Sequence, residues 1–224
     1  VNEEVVLLDR TFLSTTYDSM MPIHGYGLWQ AQADHEPAIR DLYRFCQVIQ
    51  HQRLGQGLPR RPFVFKTPPY VLGALAGLLA VWPKAKLVMT HRHVSEVLPS
   101  YCSMCASLTV NSSSTYRKEA EGGHWSQRFA EGLERLEVIR AGLPAGQVID
   151  VRYADTVSDP IGTARTVMAA LGLGVTAEDE AAFARTVAEN AREARPRHRY
   201  SAADFGLSAD GIAQQFAFYH ARYL

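Results

Sequence analysis

The stretch KLVMTHRHVSEVLPS, residues 86–100, decides the fold class, because an apolar run enters a basic turn and leaves it as a helix. Leu87, Val88 and Met89 suit a strand buried on both faces, and His91, Arg92 and His93 fall where that strand ends. Arg92 then presents a fork of donors to an anion, and the new helix brings unpaired backbone N–H groups to the same place. Ser100 follows about two helical turns after Arg92 and adds a hydroxyl donor. Spacing alone leaves a plainer alternative equally open, in which Arg92 is a solvated strand-end cation and Ser100 an ordinary helix residue.

Outward from this stretch, three apolar segments, Pro62 to Phe65, Lys86 to Thr90 and Val148 to Val151, alternate with helical patterns. That order predicts an α/β fold, a parallel sheet flanked by helices, in a single domain over residues 1–224. In FVFKTPPY, residues 63–70, a strand delivers Lys66 to a helix opened by Thr67 and Pro68 and closed at Pro83. Lys66 and Arg92 thus occupy equivalent strand ends, where open α/β sheets bind ligands. Tyr153 ends the third strand on the same rim and offers an aromatic face to a base. Two cations, helix N-termini and an aromatic ring suggest a phosphorylated nucleotide.

The remaining helices carry clear marks. Pro37 opens one whose inner face is Ile39, Leu42, Cys46 and Ile49, ending near Gly55. Trp125, Phe129, Leu133 and Leu136 recur at helical spacing and read as core. Asp159-Pro160 is a cap followed by a first helical residue, with Ile161, Ala164, Met168 and Leu171 turned inward, and Thr176 with Asp179 forms a capping box. The last helix begins near Ser208 and aligns Ile212, Phe216, Tyr219 and Tyr223. Residues 111–123 read as a polar surface loop, and the basic run AREARPRHRY, residues 191–200, as a loop before the last helix.

Composition narrows the function classes. Lys plus Arg and Asp plus Glu both number 23, so there is no bulk charge to draw nucleic acid, and any anion chemistry is local. The apolar run Val71 to Trp82 is too short to span a bilayer, no signal peptide is recognisable, and the expected compartment is the cytoplasm. Three cysteines argue against a disulfide framework. Cys102 and Cys105 form a CxxC with His91 and His93 upstream, but a lone pair inside an apolar helix reads as core rather than as a zinc or redox site. No metal is expected.

In order and spacing these segments resemble the sulfotransferases that use 3′-phosphoadenosine 5′-phosphosulfate (PAPS), in particular the bacterial type acting on glycans, lipids and small alcohols. The 86–100 stretch is similar to that family's 3′-phosphate motif, which implies that Arg92 and Ser100 bind the 3′-phosphate. FVFKTPPY resembles the strand-Lys-Ser/Thr-Pro element that puts Lys66 beside the sulfuryl group and the bridging oxygen. VIDVRYADTVSDP, residues 148–160, resembles the segment whose tyrosine, here Tyr153, lies near adenine. RHRYSAADFGL, residues 197–207, resembles the basic segment that closes over the 3′-phosphate, which implies roles for Arg197 and Arg199. The resemblance implies a P-loop NTPase-like sulfotransferase architecture, with PAPS as co-substrate and a hydroxyl or amine acceptor on a glycan, lipid or small molecule. A homodimer is an open alternative.

Two departures accompany it. The family's Gly/Ser/Thr-rich phosphosulfate loop and the strand before it have no counterpart here; Gly55-Gln56-Gly57 follows no strand, and the chain starts at Val1, so an upstream segment is expected to be missing. Pro68 stands where well-studied members carry a catalytic histidine. The general base is then sought in His24, the first choice, and in Glu3, Glu4 and Tyr70. A noncatalytic remnant or partner-binding half of such an enzyme is the alternative function. A nucleotide-dependent phosphotransferase is a weaker one, lacking a Walker lysine loop and a magnesium-binding acid.

Overall fold

The computed structural model of the chain describes residues 4–66, 70–109, 113, 116–189 and 200–224. Helices dominate. Three short ones, α1 (Val5–Asp9), α2 (Thr16–Met20) and α3 (His24–Gln32), precede the long α4 (Glu36–Gly55). Pro37 lies in the first turn of α4, where its missing N–H costs nothing, and Ile39, Leu42 and Cys46 are buried, whereas Ile49 is 40% exposed.

Two strands, β1 (Leu87–His91) and β2 (Val148–Arg152), pair in parallel with Leu87 opposite Val148 and His91 opposite Arg152. Between them run α6 (Val94–Thr109) and α7 (Lys118–Ala141), preceded by α5 (Leu75–Val81). Beyond β2 come α8 (Tyr153–Ser158), α9 (Pro160–Ala170) and α10 (Ala177–Glu189), then a 3-10 turn at Ala203–Phe205, α11 (Ala209–Gln215) and α12 (Ala217–Tyr223). The main core joins α5, α6, α7, α11 and α12 through Leu75, Leu98, Trp125, Leu136, Ile212 and Phe216; a smaller cluster joins α1 to α4 through Leu8, Ile39 and Leu42. The expected caps are formed: Asp159 accepts from the Gly162 N–H, Ser208 from the Gly211 N–H, and Thr176 and Asp179 bond reciprocally.

Four sequence expectations are corrected. Pro62 to Phe65 is extended but joins no sheet, and the sheet among the described residues has two strands. Side chains rather than a ladder hold its two ends: the Gln50 amide donates to the Arg61 carbonyl and the Glu4 carboxylate accepts from the Lys66 N–H, while Val64 stands 90% exposed. The helix expected from Thr67 to Pro83 is regular only over α5; Thr67, Pro68 and Pro69 lie outside the described residues, and Gly73 at φ +152° interrupts the turn before Leu75. The loop expected to run to Gly123 ends earlier, because Lys118, Glu119 and Glu121 are helix formers with two acids in the first turn, and they start α7. Finally, α9 and α10 bury no residue fully, so Ile161, Ala164, Met168 and Leu171 are only half-buried.

Candidate functional site

Because β1 and β2 are parallel and in register at His91 and Arg152, the residues that follow each strand leave the sheet at the same edge. Arg92 and Tyr153 are those residues. The Arg92 guanidinium carbon lies 4.4 Å from the Tyr153 ring centroid, a cation–π contact between residues distant in sequence. Tyr153 opens α8 and is 37% exposed, so the aromatic face expected to meet a base instead meets the arginine on one side. Arg92 also turns toward α6, where its Nε donates to Glu96 Oε2 at 2.7 Å and its Nη2 lies 2.7 Å from the same oxygen in an ion pair. Ser100 follows on α6, half-buried.

The turn carrying Arg92 is pinned from the C-terminal helix. His91 is 1% exposed; its Nε2 hydrogen-bonds Asp150 at 2.7 Å, its Nδ1 the Tyr219 hydroxyl at 2.9 Å, and its ring stacks on Tyr223 at 4.1 Å. Asp150 accepts in addition a two-pronged pair of bonds from Arg140, both 2.7 Å. These bonds from Arg140, with the one from His91, hold the Asp150 carboxyl down at about 2. His220 Nε2 accepts from the Val94 N–H at 3.1 Å, which caps the first turn of α6. Burial, and then the neighbouring His93, lower the His220 pKa and favour this neutral, accepting form.

Lys66 is exposed at the end of the unpaired extended segment, with Glu4 Oε2 3.2 Å from its backbone nitrogen. The other carboxylate oxygen, Glu4 Oε1, is buried with no hydrogen-bond partner among the described residues. Tyr70 is close by, and burial together with the Glu4 charge raises its pKa far above the ordinary phenol value. Of the early candidate bases, then, Glu4 and Tyr70 lie around Lys66.

His24 lies in a different neighbourhood. Its Nε2 is 3.1 Å from Glu121 Oε1, and its ring stacks on His124 at 4.0 Å. His124 Nε2 meets Asp18 Oδ2 at 2.9 Å, and the wholly buried Arg128 donates to the same oxygen at 3.0 Å, to the Gln30 amide oxygen at 2.8 Å and to the Gly27 carbonyl. Gly27 is required there, since a Cβ would fall 2.0 Å from Asp18 Oδ2. Among the described residues, no hydrogen bond or ring contact joins His24 to Arg92 or Tyr153. Nothing in the sequence reading foresaw this cluster, although Glu121, His124, Trp125 and Arg128 share one helical face.

Arg197, Arg199, Glu3 and Pro68 lie outside the described residues. Cys102 and Cys105 are wholly buried on α6; burial pushes the Cys102 thiol up to about 12 and Cys105 higher still, which is the behaviour of core residues. Among the described residues no group of three or more His, Cys, Asp or Glu is arranged to hold a metal ion, and no helix is long and apolar enough to cross a membrane.

The profile of a sulfotransferase family matches residues 1–177. The chain belongs to the sulfotransferase family. Its fold is shared with crystal structures of two sulfotransferases. STF1 of Mycobacterium tuberculosis H37Rv superposes with a TM-score of 0.81 at 28% identity over 97% of this chain. STF9 of Mycobacterium avium does so with a TM-score of 0.85 at 21% identity over 99% of it. The chain spans 55% and 56% of the lengths of those two proteins. No curated protein matches it.

Proposed function

We propose that this chain forms the 3′-phosphoadenosine side of a sulfotransferase that moves a sulfuryl group from PAPS to a hydroxyl or amine on a glycan, lipid or small-molecule acceptor. The observation that carries this reading is the meeting of Arg92 and Tyr153 at the carboxyl ends of paired parallel strands in a member of the family. A guanidinium and an aromatic face in contact suit a phosphate and a base on one nucleotide, with Ser100 as a further donor to the phosphate and the family resemblance assigning Arg197 and Arg199 to it as well.

Sulfuryl transfer is an in-line displacement: the acceptor oxygen bonds to sulfur as the sulfur–oxygen bond to the 5′-phosphate breaks, and adenosine 3′,5′-bisphosphate leaves. Negative charge grows on the leaving oxygen, and Lys66 is assigned to neutralise it. The acceptor proton goes to a base. Glu4 takes that role in preference to His24, because its carboxylate meets the Lys66 backbone N–H and has an oxygen without a partner among the described residues, whereas His24 is engaged with Glu121 and His124. The test is transfer of labelled sulfate to a panel of sugar, lipid and phenolic acceptors by wild type, Glu4→Gln, His24→Asn and Lys66→Ala. Lys66→Ala is expected to lower kcat by about a hundredfold or more, and Glu4→Gln by about a hundred- to ten-thousandfold. A loss confined to His24→Asn makes His24 the base. A wild-type chain that binds the bisphosphate yet transfers nothing to any acceptor favours the noncatalytic reading instead.

A further inference from the structure

We propose that Glu96 sets the affinity of the donor site: it stands in for the 3′-phosphate on Arg92 when the site is empty and must give the arginine up when the nucleotide arrives. The proposal rests on the reading of Arg92 as the 3′-phosphate group. Glu96 Oε2 accepts from Nε–H and sits 2.7 Å from Nη2, so the edge of the guanidinium that would grip a phosphate side-on already faces a carboxylate. Tyr153 covers one face of the same group, and together the two neighbours hold the cation in place.

The exchange is favourable because the two partners differ in strength. Arg92 and Glu96 are 35% and 54% exposed, so their pair is hydrated and weak. A phosphate brings nearly two charges and three acceptor oxygens, against one charge on the carboxylate. A nucleotide with a free 3′-hydroxyl has no charge with which to displace Glu96 and leaves the pair intact. Glu96 therefore opposes binding of the donor and of the bisphosphate product alike and leaves other adenosine nucleotides untouched. Its benefit is in turnover, since a product held less tightly departs faster where release limits the rate.

Calorimetric titration of the whole chain tests this, with adenosine 3′,5′-bisphosphate and adenosine 5′-monophosphate as ligands and wild type, Glu96→Gln, Arg92→Ala and the double variant as proteins. Glu96→Gln keeps helix propensity and shape at an exposed position, and unchanged circular dichroism verifies its fold. It is expected to tighten the bisphosphate roughly two- to fivefold and to leave the monophosphate unchanged. That gain is expected to vanish in the Arg92→Ala background, because Glu96 acts through the arginine. Weaker or unchanged bisphosphate binding in Glu96→Gln overturns the proposal, as does equal tightening of both nucleotides or a gain that persists without Arg92. Bisphosphate affinity that ignores Arg92→Ala alone overturns the underlying reading of Arg92 instead.

Discussion

Two arginine–carboxylate pairs in this molecule have the same chemistry and opposite settings. Arg92 and Glu96 lie at the rim of the sheet and are more than a third exposed, whereas Arg128 and Asp18 are wholly buried. Water can replace either partner of the first pair at small cost, so Arg92 can exchange a carboxylate for a ligand. No such exchange is open to Arg128. Desolvation lowers its pKa, its Nε has no hydrogen-bond partner among the described residues, and its other bonds tie α7 to α2, to α3 and to the Leu72 carbonyl. The lesson is that burial, more than the identity of the pair, separates a binding group from a structural one.

The largest expected effect is on the buried side. Arg128→Met removes the cation from the buried Asp18 and leaves it the His124 hydrogen bond, and urea unfolding should show a loss of about 3–5 kcal/mol. Replacing both partners, as Arg128→Met with Asp18→Asn, should recover part of that loss. A single variant as stable as wild type would erase the contrast between the two pairs.

Next in size is the exposed side. Arg92→Ala should weaken adenosine 3′,5′-bisphosphate by roughly ten- to over a hundredfold, as expected for a charge-assisted bond. Stability should move by less than about 0.5 kcal/mol, because surface positions contribute little. Calorimetry and denaturant unfolding on the same preparation check both halves. A variant that unfolds readily would make Arg92 a structural residue after all.

The smallest effect sharpens the comparison with an intermediate case, since Asp150 is 40% exposed while its partners Arg140 and His91 are mostly buried. Its folded pKa, about 2, lies below the ordinary 3.8. The stability it contributes is thus complete above the ordinary value and disappears as pH falls from about 4 to about 2. Solvent screening limits the contribution to about 1 kcal/mol. Asp150→Asn should flatten unfolding free energy against pH in that window, and an unchanged acid slope would mean the Arg140 pair is idle.

Much of this was legible along the chain. The strand–turn–helix order at 86–100, the caps at Asp159, Thr176 and Ser208, and most of the stripes of α4 and α7 are local patterns, and local hydrogen bonding and periodicity produced them. But β1 leaves Val88 43% exposed rather than burying both faces, and the single last helix expected from Ser208 is split at Phe216 into α11 and α12. Pro62 to Phe65 misled because an apolar run specifies a strand only where a ladder partner stands beside it, and here Gln50 and Glu4 instead hold the backbone of the flanking Arg61 and Lys66. Glu121, His124 and Arg128 were missed for the complementary reason: polar residues on a helix read as surface unless the partners that permit their burial are known. Those partners, Asp18 and Gln30, come from α2 and α3, about a hundred residues upstream.

By itself the sequence determined which residues could bear charge at strand ends, where most helices begin and stop, and the family to which the chain belongs, because each depends on neighbours within a few turns or on motifs in order. Only the tertiary structure decided that Arg92 meets Tyr153, that Glu4 adjoins Lys66 while His24 joins a buried cluster, and which arginine stays in water. Those outcomes depend on how distant elements pack, and packing sets the desolvation that makes one ion pair replaceable and another permanent.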